Sequence, residues 1–139
     1  MPVKKIQFTE DPQAKYAGMG DFLLIAPNMR NSVELIYEGE PPHGDSYHRA
    51  TIDGIPFPGH VWGSLFGFSS CSRYFVFSWM SKLFERRTVV ADIQTRCYFV
   101  LPEYIYKFKV RWPMVLGDGE LSNAQQYIFT GSERWLSYE

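Results

Sequence analysis

The stretch RYFVFSWM, Arg73 to Met80, most restricts what this chain can fold into. Its aromatic and β-branched residues favour a strand, and a strand points alternate side chains to opposite faces. Neither face of this one is polar enough to meet water, so both need cover. The run passes through SKLFERR into TVVADI, which predicts a long hairpin with Phe84 at its tip. After Gln94-Thr95-Arg96 comes CYFVL. Pro102 then separates it from YIYKFKVRW, which Pro113 ends. Strand, turn, strand, turn, strand is a meander.

The same signals recur elsewhere more weakly. Val3 to Thr9 and Phe22 to Ala26 read as strands, and SVELIYE alternates before GEPPHGD breaks the pattern with Gly39, Pro41, Pro42 and Gly44. Asp53-Gly54, between Ile52 and Ile55, is the pair preferred by two-residue hairpin turns, where both central positions need positive φ. Pro56 and Pro58 keep the second arm short or at an edge. Only DPQAKYA and LSNAQQYIF are candidates for short helices. The expected class is mainly β: an antiparallel meander sheet, as a sandwich or open barrel, with one or two short helices. Its core is expected to include Tyr74, Val76, Phe77, Val90, Ile93, Phe99, Leu101, Phe108 and Val110.

SSCSRYFVFSW, RTVVADI and CYFVL together resemble the inner three strands of a β-propeller blade. The likeness covers about a quarter of the chain, and no repeat recurs at a fixed period, as blades should. It implies a local meander and no activity.

At 139 residues the chain fits one domain, 1–139, able to bury a real core. Its longest apolar runs fall far short of the roughly 18 residues that span a bilayer as a helix. In MPVKKIQFTE, polar residues interrupt what would be a signal-peptide core, so a cytoplasmic location is expected. Cys71 and Cys97 cannot build a disulfide framework or a four-ligand zinc site alone and are expected to be reduced and partly buried.

No catalytic signature emerges. His43, Asp45 and His48, with Asp53 and His60 nearby, match no helical or calcium-loop metal pattern, and read as a polar surface loop. WGSLFG is not a nucleophile elbow, and the glycines at 59, 63 and 67 form neither a P-loop nor a dinucleotide fingerprint. No catalytic residue, metal or cofactor is assigned.

Charge is the remaining signal. The net charge of -1 conceals a basic segment: from Arg73 to Trp112 there are eight basic residues against three acidic ones. In YIYKFKVRW, Tyr104, Tyr106, Phe108, Val110 and Trp112 should share one face of a strand, and Ile105, Lys107, Lys109 and Arg111 the other. Bases and phosphates would then need opposite faces, and the net charge is poor for a nucleic-acid binder. The expectation is a non-catalytic protein-binding domain, of the kind that inhibits or gives immunity to a toxin or enzyme. Lys107, Lys109 and Arg111 would meet an acidic protein surface, with Phe84, Arg86 and Arg87 beside them. The competing expectation is a small-ligand β-barrel or sandwich, enzymatic or not, using the His43 to His60 loop.

Overall fold

A computed structural model describes residues 3–42, 44–119 and 124–139. Its elements in chain order are β1 (Lys4–Gln7), β2 (Lys15–Tyr16), β3 (Phe22–Ile25), β4 (Ser32–Gly39), β5 (Tyr47–Ile52), β6 (Ile55–Pro56) and β7 (His60–Phe68). There follow β8 (Tyr74–Met80), β9 (Arg87–Asp92), β10 (Cys97–Val100), β11 (Phe108–Arg111), β12 (Met114–Gly117), β13 (Gln126–Ile128) and β14 (Leu136–Ser137). The large sheet runs β1-β3-β4-β5-β7-β8-β9-β10-β14, with β2 added on β7 and β6 on β5. A small second sheet is β11-β12-β13. Pairing is antiparallel except between β1 and β3, so the large sheet is mixed.

The expected helices are absent among the described residues. In DPQAKYA, Gln13 bridges to Lys109 and Lys15–Tyr16 pairs with Phe66 and Leu65, so neighbouring strands claim the backbone groups a helix would use. Residues 120–123 lie outside the described residues, and the rest of LSNAQQYIF supplies β13.

Strand β8 divides its side chains between two cores. Phe75, Phe77 and Trp79 enter the first, with Val89 and Ala91 of β9. Val76 enters the second, with Val90, Leu101, Ile105, Phe108, Val110, Val115 and Phe129. Phe57, just past β6, packs on Phe77 at 5.2 Å between ring centroids, on Tyr98 at 5.1 Å and on Tyr138 at 5.1 Å. The large sheet therefore curls round the first core, while β11–β13 cover the outer face of β8 and β9. Of the expected core positions, Tyr74 and Phe99 are only partly buried, against the second core, and the rest are buried.

The meander holds from β8 through β10 and then departs from expectation. β10 takes β14 as its next neighbour, pairing Cys97 with Ser137, and YIYKFKVRW contributes only Phe108–Arg111 to a strand, in the other sheet. Three strands of a continuous curled sheet are also not a propeller blade. The physical reason for the departure is a clamp. The buried Thr88 Oγ1 accepts the Ile105 N–H at 2.8 Å and donates to the Ile105 carbonyl at 3.3 Å. This pins Ile105 over β9 and buries it, while Tyr106, expected to share a face with Phe108 and Val110, is 45% exposed.

His48 of β5 is fully buried, with Nε2–H donating to the Gly20 carbonyl at 2.8 Å. Its ring lies edge-on to Phe22 and Tyr37. Nδ1 has no hydrogen-bond partner among the described residues, and the Val61 backbone nearby favours the protonated ring. Gly63 makes this packing possible, since a Cβ on it would stand 2.5 Å from His48 Cε1 and 2.8 Å from Ser46 Oγ.

Thr88→Val keeps the shape of the clamp and removes its hydroxyl. Two buried backbone groups of Ile105 then lose their partner, so urea unfolding should show a loss of about 1–3 kcal/mol. A loss inside measurement error would show that the crossing is held by packing alone. A second expectation concerns pH. Burial lowers the His48 pKa below 6.5, with the Gly20 and Val61 backbones opposing. The unfolded chain therefore takes up the proton first as pH falls. Stability should decline from about pH 6.5 downward through the lower folded value, and His48→Gln should flatten that slope whatever its absolute stability.

Candidate functional site

The loop before β5 and the β8–β9 turn, residues 81–86, meet over the outer face of β5 and β7. Tyr47 and Trp62 are directly opposite in the β5–β7 register. Trp62 is 1% exposed, donates its indole N–H to the Glu85 carbonyl at 2.8 Å, and carries the Arg86 guanidinium over its ring at 4.0 Å. Arg86 also pairs with Asp45 at 3.3 Å. One cation is thus held on two sides, by an aromatic face and by a carboxylate.

Around this anchor lies exposed aromatic surface. Tyr47 packs edge-on to Trp62 and to Phe84, each at 6.3 Å between centroids, and to His60 at 5.7 Å. Phe84 is 53% exposed and sits at a φ of 68°. Positive φ is rare for a bulky side chain and costs about 1–3 kcal/mol where the surroundings impose it. Here the Phe84 N–H is held by Met80 Sδ at 3.1 Å. Tyr106 joins the face: burial raises its phenol pKa, then the charge of Asp45 and the nearness of Tyr104 and Tyr16, while Arg86 opposes. Tyr16, at 60%, and Leu83, at 55%, are the other large exposed side chains in these segments.

The cationic row is only partly as expected. Lys109 and Arg111 project from the outer face of the second sheet, opposite Leu116 and Met114 in register. Lys109 is half-buried, Arg111 exposed, and Lys107 precedes the strand and is exposed. None of the three pairs with an acidic side chain among the described residues. By contrast Arg73 pairs with Asp92, Arg96 with Glu139, and Arg87 with Glu85 at 3.8 Å. The structure brings Phe84 and Arg86 together, keeps Arg87 beside them on its own local ion pair, and places the Lys107 to Arg111 segment beyond Tyr106.

The histidine-rich segment disperses. His48 is buried, His60 Nδ1 pairs with Glu38 at 2.6 Å, Asp45 holds Arg86, and Asp53 caps the far end of β5 through Asn31 and Ser32. His43 lies outside the described residues. Among those described, no three His, Cys, Asp or Glu side chains are placed to hold a metal ion. Ser64 is buried with its hydroxyl unpartnered; Cys71, expected to be partly buried, is exposed on its turn, Cys97 is half-buried, and both thiols are free.

A groove of about 580 Å³ lies between the end of β8 and the second sheet. Its walls satisfy themselves. Tyr74 stacks on Trp112 at 3.4 Å, and Phe129 covers Trp112 and Trp135. Glu133 is held to about 2 chiefly by the Thr130 backbone N–H, against burial and with help from Tyr127, whose own phenol is pushed up to about 12 by burial and Glu133. Asp92 stays below the usual carboxylate range despite its burial, through Arg73 and Thr95. The carboxylates of this groove are thus engaged by its own walls, and its aromatic rings pack on one another.

Sequence reasoning singled out Phe84, Arg86 and Arg87, weighed Asp45 only as a metal ligand and Tyr106 only as a strand residue, and did not join Tyr47 or Trp62 to them. These come from three separate segments, and no local pattern joins them. Comparison of the chain with family models, with curated proteins and with solved structures yields no match.

Proposed function

We propose that this protein works by binding another protein through the face built on Trp62 and Arg86, and that its class is an inhibitor or immunity-type partner of a toxin or enzyme. The observation that carries this reading is Phe84, exposed and held in left-handed backbone beside Tyr47. Strained backbone concentrates where function needs a fixed geometry. Tyr, Phe, Trp and Arg are the side chains on which interface energy concentrates. The partner is acidic: Lys107, Lys109 and Arg111 extend the face with cations that no described carboxylate neutralises. Exposed ion pairs contribute only about 0–1 kcal/mol each, so these three chiefly steer approach.

Phe84→Gly separates fold from function. Glycine relieves positive φ, so folding stability should hold or rise, while the complex captured from native lysate should be lost or weakened at least about tenfold, the measure of an interface hot spot. Recovery of the same stoichiometric partner at equal affinity by wild type and Phe84→Gly would reject this face. Recovery of no partner by wild type would reject the reading. With the partner purified, reversing Lys107, Lys109 and Arg111 to Glu should slow association at low salt, and the difference should shrink as salt screens it.

A further inference from the structure

The link between β2 and β3, residues 17–21, is fastened over His48 by a few hydrogen bonds. Its Gly20 carbonyl accepts from His48 Nε2–H at 2.8 Å, and its Gly18 carbonyl accepts from the Ser46 hydroxyl at 3.0 Å. The Ala17 and Gly18 N–H groups donate to the Ser64 and Gly63 carbonyls of β7 at 3.0 and 3.1 Å. Asp21 ends the link by accepting from the Tyr37 N–H at 2.8 Å. Gly18 and Gly20 sit at φ of 90° and 106°, with Met19 between them 63% exposed. Glycine enters and leaves positive φ at no steric cost, so the link has a hinge on each side of a side chain that lies in solvent.

The ring under this link is incompletely satisfied. His48 is wholly buried, and its Nδ1 has no hydrogen-bond partner among the described residues. A buried polar atom left in that state costs stability that contact with water restores. Strands β4 and β7 pair with β5 on either side of His48, which leaves the link as its least firmly held cover. Opening the link hydrates Nδ1 and lets the ring ionise. In the closed form burial opposes the imidazolium and outweighs what favours it: the Gly20 and Val61 backbones, then the charges of Asp21 on the link and Glu38 on β4. Glu38 is itself engaged by His60 and Arg49. The open form therefore binds a proton more tightly, and acid shifts the balance toward it.

We propose that residues 17–21 are a strap that acid releases, closed over His48 at neutral pH and opening, without unfolding of the sheet, as the imidazole takes up a proton. The device is independent of the docking face and stands whether or not that reading holds.

Hydrogen exchange, corrected for the intrinsic rate at each pH, reads the opening of single amides. The Ala17 and Gly18 amides should be less protected than that of Val90, whose strand is paired on both sides, and their exchange should be insensitive to low urea, the mark of a local opening. Their opening should rise up to about tenfold from about pH 7.5 to about pH 5.5, as a histidine of ordinary affinity in the open form requires. His48→Gln should abolish that rise. Ser46→Ala cuts the fastening at Gly18 and leaves His48 in place, and should raise opening about fivefold at both pH values, the effect of one ordinary hydrogen bond. Ala17 and Gly18 exchanging with the protection and urea dependence of Val90, an opening that pH does not change, or a rise that persists in folded His48→Gln would each overturn the strap.

Discussion

The structure depends on one constraint: β8 and β9 carry large apolar side chains on both faces, and a single sheet can bury only one of them. Curling the large sheet covers Phe75, Phe77, Trp79, Val89 and Ala91. That leaves Val76 and Val90 outside, with Tyr74 and Phe99 beside them, and fully burying one apolar side chain is worth about 1.5–3 kcal/mol. The chain must therefore supply a second layer, and it does so with the segment that follows β10. Three features beyond Pro102 follow from that need: the crossing over β9, the Thr88 clamp on Ile105, and the three short strands above.

The clamp also accounts for the exposed aromatic face. Thr88 follows Arg87 at the start of β9, next to the turn that bears Phe84 and Arg86, so fixing Ile105 there delivers Tyr106 to the same place. Trp62 cannot be left open to water beneath these residues, and Arg86 closes it while keeping its own charge half in solvent. The same packing that completes the second core thus assembles a surface from segments around residues 16, 45, 62, 84 and 106.

The sequence carried the strands well where pattern and burial agree. Phe108 and Val110 point inward, with Lys109 and Arg111 outward, as alternation requires, and Asp53 and Gly54 take positive φ in the turn their identity predicts. It misled where a long-range contact overrode the pattern. Tyr104 to Lys107 alternates as well as Phe108 to Arg111 does, but the hydroxyl of Thr88 takes its backbone out of any ladder. DPQAKYA has no feature of its own that forbids a helix; strands on both sides claim it. The exposed aromatic face was illegible for the same reason. It is made of residues that are ordinary alone and come together only when curvature brings segments distant in sequence to one end of the sheet.

The two sets of cations differ in what they can contribute to recognition. Arg86 is already stacked and paired, so little side-chain freedom remains to be lost when a partner arrives, and its planar fork is presented in fixed orientation. Arg87 and Arg96 are largely neutralised by Glu85 and Glu139 at the surface. Lys107 and Arg111 are exposed on long flexible stems, which screen easily and lose entropy when fixed. In the proposed complex, affinity and specificity would therefore belong to the preorganised Trp62–Arg86–Phe84 region, and the rate of encounter to the second sheet. The two lie on different layers, and a chain with a net charge of -1 thus still carries a local cationic surface on its second sheet.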